Sequence, residues 1–428
     1  MVLKRVLLVS MLSVASGFSS LAHSETNPIE QTVLEHYANI AQAGYSDSLT
    51  TAKWLEKAVD QLVDKPTLKN LNVARQAWVD SRVPYQQTEV FRFGNPIVDD
   101  WEGKVNAWPL DEGLIDYVAS NYGDVSEENN LYSANIIANN ILQLSGRNID
   151  TSDITPALLS DTLHEVDDVE ANVATGYHAI EFLLWGQDLN GTNAGAGNRP
   201  VGDYDTQNCT GGHCERRIQF LQSAIKLLIT DLEWMVNQWA PTGEARAAVL
   251  DAESNVGLAM ILTGMGSLSY GELAGERMKL GLMLHDPEEE HDCFSDNTHY
   301  SHYYDALGIQ NVYTGRYQRI NGKLLEGPSL ADLVKAKNSG ADKALLTKLD
   351  LTMGKMQILV NTAINGEAYD QMIGSGNSEG NAKVQAAIFA LTEQTKAIGA
   401  VAIALGLESL DIEGSDSLDN PKLISMIQ

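Results

Sequence analysis

Apolar residues recur every three to four positions along most of this 428-residue chain, which is the spacing of an amphipathic α-helix. No sustained run of strictly alternating apolar and polar residues, bounded by turn residues, indicates a sheet. The pattern therefore predicts an all-α protein. The predicted helices span residues 31–43, 48–62, 67–82, 132–144, 172–185, 215–239, 244–257, 268–284, 330–337, 341–364 and 382–405.

The length of the chain exceeds what one compact core usually organises, so two domains are expected. A loop rich in glycine and asparagine, residues 191–213, is the natural boundary between them. It divides the chain into an N-terminal helical domain, residues 25–190, and a C-terminal helical domain, residues 214–428. A loop of this length inside a compact protein commonly has a function, and covering a site is one such function.

One predicted helical stretch, residues 176–188, is apolar on nearly every side and should be buried. It nevertheless carries His178 and Glu181, whose three-residue spacing places an imidazole and a carboxylate on the same face. Such a pair can hold a metal ion or share a proton. It can equally be an ordinary hydrogen-bonded pair of the core, because charged groups are buried only when paired. The spacing alone leaves both interpretations open.

Common zinc hydrolase motifs are missing around this pair. The chain contains no H-E-x-x-H sequence, and Phe182 stands where H-x-x-E-H requires its second histidine. Because a catalytic zinc site normally uses three protein ligands and a water, a third ligand would have to come from a distant part of the chain.

The N-terminus has the composition of a secretory signal peptide, residues 1–24. Lys4 and Arg5 precede an apolar run that ends near residue 18, and small residues then offer cleavage after Ala22 or Ser24. The apolar run is too short to span a bilayer. We therefore expect an exported protein.

The chain is strongly acidic, with a formal net charge of −28. Removal of the signal peptide takes away two positive charges, Lys4 and Arg5, and leaves −30. A surface of this charge repels nucleic acid and anionic membranes and attracts cations weakly. Nucleic acid is therefore not an expected partner.

Three cysteines are available for pairing in an oxidising compartment. Cys209 and Cys214 are separated by a short loop that contains glycine, which favours a disulfide between them and leaves Cys293 free. A metal cluster of the three thiols with His213 is the alternative, although its spacing matches no strong zinc pattern.

Two stretches, residues 82–113 and 268–299, mix aromatic with charged residues in a way that is unlike a packed helix face. They are interpreted as walls of a pocket, or else as buried aromatics with paired surface charges. The acidic run 286–292 is expected to be a solvated turn. The pocket candidates, with one from the buried stretch, are Arg82, Glu89, Arg92, Trp108, Asp111, Glu112, Trp185, Glu272, Glu276, Arg277 and His299.

Glu272 and Glu276 are one turn apart on a predicted α-helix and should share a face. Two carboxylates on one face repel each other unless a cation or Arg277 lies between them. His299, which follows the acidic run, is the better candidate for a metal ligand.

Several separate blocks of sequence resemble the imelysin family, of the iron-regulated protein A type, a group also catalogued with peptidases. The resemblance extends over essentially the whole chain that follows the signal peptide. The blocks are Ala77-Trp78 with Arg82 and Pro84-Tyr85; Gln87-Thr88-Glu89 with residues 91–94; residues 101–103 through Asp116-Tyr117; Gly176-x-His178-x-x-Glu181 through Gln187-Asp188; Arg199-Pro200 with Asp203-Tyr204; residues 271–278; and residues 291–299.

This resemblance implies two helical-bundle domains that arose by an ancient duplication, with a shared site at their interface built around the G-x-H-x-x-E motif. It also implies expression linked to iron and a location in the periplasm or at the outer membrane. The implied partners are iron or an iron complex, and membrane components of iron uptake.

Two hypotheses of function follow. In the first, the protein binds iron, an iron complex or haem, with His178 and Glu181 as ligands suited to iron. In the second, the same pair holds zinc in a metallopeptidase and activates a water, with a distant third ligand from His299 or His213. The binding hypothesis is favoured, because acidic stretches from both halves suit cation capture and no complete catalytic set is evident. A purely structural role fits poorly with charged residues inside apolar motifs.

Overall fold

The computed structural model describes residues 28–123, 126, 129–144 and 146–422. The predicted signal peptide, residues 1–24, lies outside the described residues. The α-helices are α1 (Pro28–Asp64), α2 (Leu68–Gln86), α3 (Pro96–Asn106), α4 (Glu112–Ile115), α5 (Pro156–Leu158), α6 (Gly176–Trp185), α7 (Cys214–Gln238), α8 (Glu244–Leu250), α9 (Ser254–Ser267), α10 (Gly281–Leu284), α11 (Thr298–Thr314), α12 (Leu330–Lys337), α13 (Ser339–Ile364), α14 (Tyr369–Ile373), α15 (Ser378–Leu405) and α16 (Asp416–Asp419).

Two π-helical segments, Leu159–Leu163 and Leu268–Leu280, interrupt the α-helical geometry. The strands in the described part of the chain form two antiparallel hairpins. In one, β1 (Ile141–Leu144) pairs with β2 (Arg147–Asp150), and in the other, β3 (Arg316–Gln318) pairs with β4 (Leu324–Glu326). The prediction of an all-α fold is confirmed.

Helix α1 is the longest helix in the described residues and packs against elements from both ends of the sequence. It lies along α2 and α7, and it also contacts α8, α9, α12 and β3. In the C-terminal part, α13 packs against α15 and α11. Buried apolar side chains from both predicted domains belong to one connected cluster among the described residues. The division into two domains and their duplication stay predictions.

The sequence pattern predicts two helices, residues 31–43 and 48–62, where the structure has the single helix α1. Residues 44–47, which separate the two predicted helices, are mostly buried within α1. Gly44 packs so closely on Thr88 that an added Cβ would lie 2.8 Å from its methyl group, and Asp47 is buried. Helix α1 therefore continues through residues 44–47, where the small Gly44 allows close packing and the buried charge of Asp47 is paired with Arg319.

The predicted helix over residues 132–144 is wrong, because the backbone of this segment bonds to another part of the chain. The N–H groups of Asn135, Ile136 and Ile137 donate to the carbonyls of residues 113–115, at 2.8, 2.9 and 3.1 Å. These donors are thus unavailable for an α-helix, and the segment ends in strand β1.

Helix α15 is long and apolar enough to cross a membrane, judged by length and composition alone. Core helices of water-soluble proteins pass the same test, and α15 packs against α9, α13 and the segment Leu268–Leu280. The feature is therefore weak evidence for a membrane span.

The loop predicted as a linker is fastened to the helices around it. A disulfide joins Cys209 and Cys214, whose Cα atoms are 5.9 Å apart, and Cys293 is free. Arg199 from the loop binds the carboxylate of Asp116 at 2.6 Å, and Arg217 of α7 binds the same carboxylate at 2.6 Å. These charges are buried and paired, so the loop is held in place by electrostatic contacts.

Asp47 of α1 accepts hydrogen bonds from three residues of the C-terminal part, namely the hydroxyl of Tyr317 at 3.1 Å, the guanidinium of Arg319 at 2.6 Å and the backbone N–H of Ile320 at 3.2 Å. We expect Asp47→Ala to lower the free energy of unfolding by about 2–4 kcal/mol, because the donors lose their partner inside the fold. Urea unfolding measures this loss. The exposed Asp64→Ala change at the end of the same helix is the control, and an equally small effect of both changes would contradict the pairing.

Candidate metal centre

The G-x-H-x-x-E motif forms the start of α6, which is buried along its length. Gly176 has a φ of +78°, and an added Cβ would lie 2.5 Å from the carbonyl oxygen of Val105. Only glycine fits this conformation and this close approach without strain. Helix α6 packs against α2, α3 and α7, so its polar side chains are held inside the protein.

His178 and Glu181 contact each other at the centre of this packing. The Nδ1 atom of His178 lies 3.1 Å from Oε2 of Glu181. The other oxygen of Glu181 accepts hydrogen bonds from Ser295, at 3.0 Å from the backbone N–H and 2.7 Å from the hydroxyl. Both oxygens of Glu181 are thus engaged. The Nε2 atom of His178 is buried and has no hydrogen-bond partner among the described residues.

Two further side chains, His291 and Asp292, come to the same place from a distant part of the sequence. One potential ligand atom from each of His178, His291 and Asp292 lies within 4.8 Å of the other two. The two imidazole rings are 4.7 Å apart and nearly perpendicular. We call these three residues the His-His-Asp set. Two histidines and one carboxylate are the donor set of many non-haem iron(II) sites.

Asp292 is held by charge and by hydrogen bonds. Arg82 donates to its Oδ1 at 2.9 Å, Asn297 donates to its Oδ2 at 2.8 Å, and the hydroxyl of Ser301 donates to the same Oδ2. Burial opposes ionisation, but the guanidinium of Arg82 and a hydrogen bond from His291 hold the pKa of Asp292 well below its usual range. The carboxylate is therefore ionised at neutral pH.

The two imidazoles are neutral at neutral pH. Burial, followed by the charge of Arg82, lowers the pKa of His178 to about 3. Burial, followed by the charge of Arg277, lowers the pKa of His291 well below its usual value. Neutral imidazole is the form that binds metals. In contrast, burial and the neighbouring Asp292 raise the pKa of Glu181 well above its usual value.

Arg82 joins this centre to α3. Its guanidinium donates to the side-chain oxygen of Asn106 at 2.6 Å as well as to Asp292, and it lies over the ring of Tyr177 at 4.9 Å. The pocket candidate Trp108 borders the same centre, because its indole N–H donates to the carbonyl of Glu290 at 2.9 Å and its ring lies 5.7 Å from that of His291.

Arg277 is the hub of a second buried group of charges. It donates to Glu89 at 2.7 Å, to Glu272 at 2.7 Å and to Asp305 at 3.1 Å. Arg92 extends the group by contacting Glu272 at 3.5 Å. Four pocket candidates, Glu89, Arg92, Glu272 and Arg277, are thus brought together by ion pairs.

Glu272 and Glu276 lie in the segment Leu268–Leu280, which is π-helical rather than the predicted α-helix. A π-helix bonds residue i to residue i+5, which aligns Glu272 with Arg277. Glu276 instead lies near Glu289, whose pKa is raised first by burial, next by Asp286 and then by Glu276.

The remaining candidates lie outside the His-His-Asp set. Glu112 accepts a hydrogen bond from Gln187 at 3.4 Å, and Asp111 accepts one from Asn129 at 2.5 Å. The ring of Trp185 packs edge-on against Trp78, with centroids 5.4 Å apart. The ring of His299 is tilted against that of Tyr300, with ring centroids 4.5 Å apart. His213, the other proposed third ligand, is an exposed residue at the start of α7.

The acidic run 286–292 is not a solvated turn over its last three residues. Glu290, His291 and Asp292 are buried. The carboxylate of Asp292 finds its partners in Arg82, which is far away in the sequence, and in Asn297 and Ser301, which follow the run. The one signal for His291 and Asp292 in the sequence was their place at the start of the last block that resembles imelysins.

Buried histidines should make this protein sensitive to acid. His302 is fully buried with no hydrogen-bond partner for either ring nitrogen among the described residues, and burial lowers its pKa to about 3. Below about pH 6.5 the imidazole binds a proton in the unfolded chain but not in the folded one, so stability is lost as the pH falls.

We expect His302→Leu to lessen the loss of unfolding free energy between about pH 6.5 and pH 4 by about 2–3 kcal/mol. Urea unfolding across that range measures the difference. His213→Gln, at an exposed histidine, should keep the wild-type pH dependence. An unchanged pH dependence in His302→Leu would show that its imidazole does not resist protonation in the folded protein.

Two relatives resemble this chain to different extents. Iron-regulated protein A of Synechococcus elongatus (strain ATCC 33912 / PCC 7942 / FACHB-805) is 32% identical over 102 residues, which cover 24% of this chain and 29% of that protein. The matched stretch is therefore less than a third of that relative. A crystal structure from Parabacteroides distasonis ATCC 8503, provisionally assigned as an iron-regulated protein A precursor, has a TM-score of 0.62 at 18% identity and covers 90% of this chain and 97% of its own.

At this low identity the likeness to the solved structure shows a shared fold only. Family membership rests on a broader match. The sequence model described as imelysin matches residues 41–398, which include α6 and the His-His-Asp set. This chain belongs to the imelysin family.

Proposed function

We propose that this protein is an exported, iron-handling imelysin that binds a transition-metal ion, iron in the first place, through the His-His-Asp set. The observation that carries this proposal is the meeting of two neutral imidazoles and an ionised carboxylate within 4.8 Å. His178 comes from α6, and His291 and Asp292 precede α11. Metal sites in proteins are commonly built from side chains that distant segments of the chain bring together.

The chemistry of the donors suits iron and zinc. Imidazole nitrogen binds iron, zinc, copper and nickel, and carboxylate oxygen adds a harder donor. Two histidines and one carboxylate leave coordination positions open, as in non-haem iron(II) sites and in catalytic zinc sites; the names of the relatives favour iron. Zinc is the alternative ion, and the titration below separates the two.

The proposal gives Glu181 a positioning role. Its oxygens are occupied by His178 and Ser295, and it is outside the His-His-Asp set. When the N–H at Nδ1 of His178 donates to Glu181, the unpartnered Nε2 carries the lone pair for a metal. Carboxylates that hold a histidine in this way are common next to metal ligands and increase ligand basicity.

The charge balance of the site predicts that metal binding is coupled to the loss of a proton. A divalent ion adds positive charge beside Arg82, which is already paired with Asp292. Glu181 can offset part of this charge by losing a proton, because its pKa is raised in the metal-free protein. Metal uptake should therefore release protons.

The family and its relatives support the cellular part of the proposal. One relative is named for regulation by iron, and the solved relative is described as a precursor. Together with the N-terminal sequence, these descriptions favour export to the periplasm or the outer membrane. The proposed partners are iron or an iron complex, and membrane components of iron uptake.

The metallopeptidase alternative has less support. It requires a zinc-bound water and a carboxylate that is free to act as a base. Glu181 is the acid nearest to His178, and its contacts with His178 and Ser295 leave it poorly placed to accept a proton from water. The binding function is therefore the better supported of the two.

Calorimetric titration of the metal-free protein with ferrous, ferric and zinc ions tests the proposal. We expect His178→Ala and His291→Ala to abolish tight uptake, because each removes a ligand. Glu181→Gln should weaken uptake by about 10–100-fold, as the loss of an orienting partner does. Titrations in buffers that differ in ionisation enthalpy would report the proton release.

The matched control is His299→Ala, which removes a buried imidazole outside the set and should leave the affinity unchanged. Circular dichroism confirms that each variant is folded. Wild-type affinity in both His178→Ala and His291→Ala would overturn the site. Zinc-dependent peptide cleavage that both variants lose would favour the peptidase function instead.

A further inference from the structure

A small cavity beside the proposed metal centre is lined by four carboxylic side chains. Asp188 follows α6, Glu288 and Glu290 lie just before His291, and Asp370 belongs to α14. The other lining residues are Pro287, Cys293 and Phe294, so no basic side chain lines the cavity. None of the four carboxylates forms an ion pair with a basic group in the described part of the chain.

Two of these carboxylates are buried with unused oxygens. Asp370 is 2% exposed, and neither of its carboxylate oxygens has a hydrogen-bond partner among the described residues. Glu290 is 0% exposed; one oxygen accepts from the hydroxyl of Thr298 at 3.0 Å, and the other has no partner in the same part of the chain. Two residues that line the cavity thus carry three carboxylate oxygens without a hydrogen-bond partner in the described part of the chain.

Such an arrangement is costly unless something neutralises it. An ionised carboxylate inside a protein requires donors or a counter-ion. Burial raises the pKa of Asp370 to about 7, although the nearby backbone N–H groups of Gln371 and Asp370 act to lower it, so protons partly serve this purpose. A bound cation would replace them and use the free oxygens.

We propose that this cavity binds one divalent cation that prefers oxygen ligands, of the calcium class, at a site separate from the His-His-Asp set. The proposal goes beyond the iron-handling function and does not depend on it. The donors are carboxylate oxygens from three segments, and the space suits one ion or one water molecule.

The donor set favours calcium over the other common ions. Calcium takes six to eight oxygen ligands in flexible geometry, whereas magnesium requires a nearly ideal octahedron. The four carboxylates do not form a group as tight as the His-His-Asp set among the described residues, and the flexible coordination of calcium tolerates a wider arrangement of ligands. The exposed side chain of Glu288 can close over an ion while Asp370 and Glu290 bind it from inside.

Calcium titration of protein stripped of all metals, followed by calorimetry and by the melting temperature, tests this site. The wild type should bind one calcium ion and melt at a higher temperature with calcium. Asp370→Asn should weaken calcium binding by about tenfold or more, because it removes a charged ligand. Magnesium should bind the wild type more weakly than calcium does.

The same variant carries an internal check on folding. Without calcium at about pH 8, Asp370→Asn should melt at or above the wild-type temperature, because a neutral amide replaces an unpaired buried carboxylate. Asp64→Asn, at an exposed carboxylate of α1, is the matched control and should bind calcium as the wild type does. His178→Ala should also keep the calcium site while it loses the proposed iron site.

Three outcomes would overturn the proposal. They are the absence of calcium binding in the wild type, wild-type affinity in Asp370→Asn, and loss of calcium binding in His178→Ala, which would place the ion in the His-His-Asp set. Failure of the iron titration alone leaves this result unaffected, so the two proposals fail separately.

Discussion

The buried arginines of this protein are paired with carboxylates, and much of the helix arrangement depends on those pairings. Arg82 brings Asp292 from the C-terminal part onto α2, and Arg277 brings Glu89 and Asp305 together. Breaking such a pair leaves an uncompensated charge in the interior, which costs far more than loss of an exposed ion pair. The ion pairs therefore fix which segments approach one another, while the apolar core supplies most of the favourable burial energy.

The fold could be predicted from the sequence where local pattern decides the structure. The helix over residues 330–337 agrees with α12 at both ends, because Ser329 and Asp332 form a capping box that marks its start. Prediction failed where distant partners decide. The segment 132–144 bonds to residues 113–115, and α11 was not predicted, because buried polar residues such as His302 and Asp305 hide its apolar periodicity.

The residues of the candidate site likewise divide into those that local sequence pattern predicts and those that depend on distant partners. The pair His178 and Glu181 could be found from spacing on one buried helix, because both residues belong to one local element. His291 and Asp292 could not be found from local pattern, since a sequence that reads as an acidic turn becomes buried only when Arg82 supplies the opposite charge. Long-range electrostatic partners leave no periodic signal in a single sequence, which limits what pattern alone can assign.

The π-helical segment Leu268–Leu280 has a consequence for how this family tolerates insertions and deletions. Glu272 and Arg277 meet because five residues separate them in a wide helical turn. Loss or gain of one residue between them would break this five-residue spacing and rotate Arg277 around the helix axis relative to Glu272. Arg277 would then face away from Glu89 and Asp305. The length of this segment should thus be under stronger evolutionary constraint than the identity of many of its residues, whereas surface loops accept changes in length.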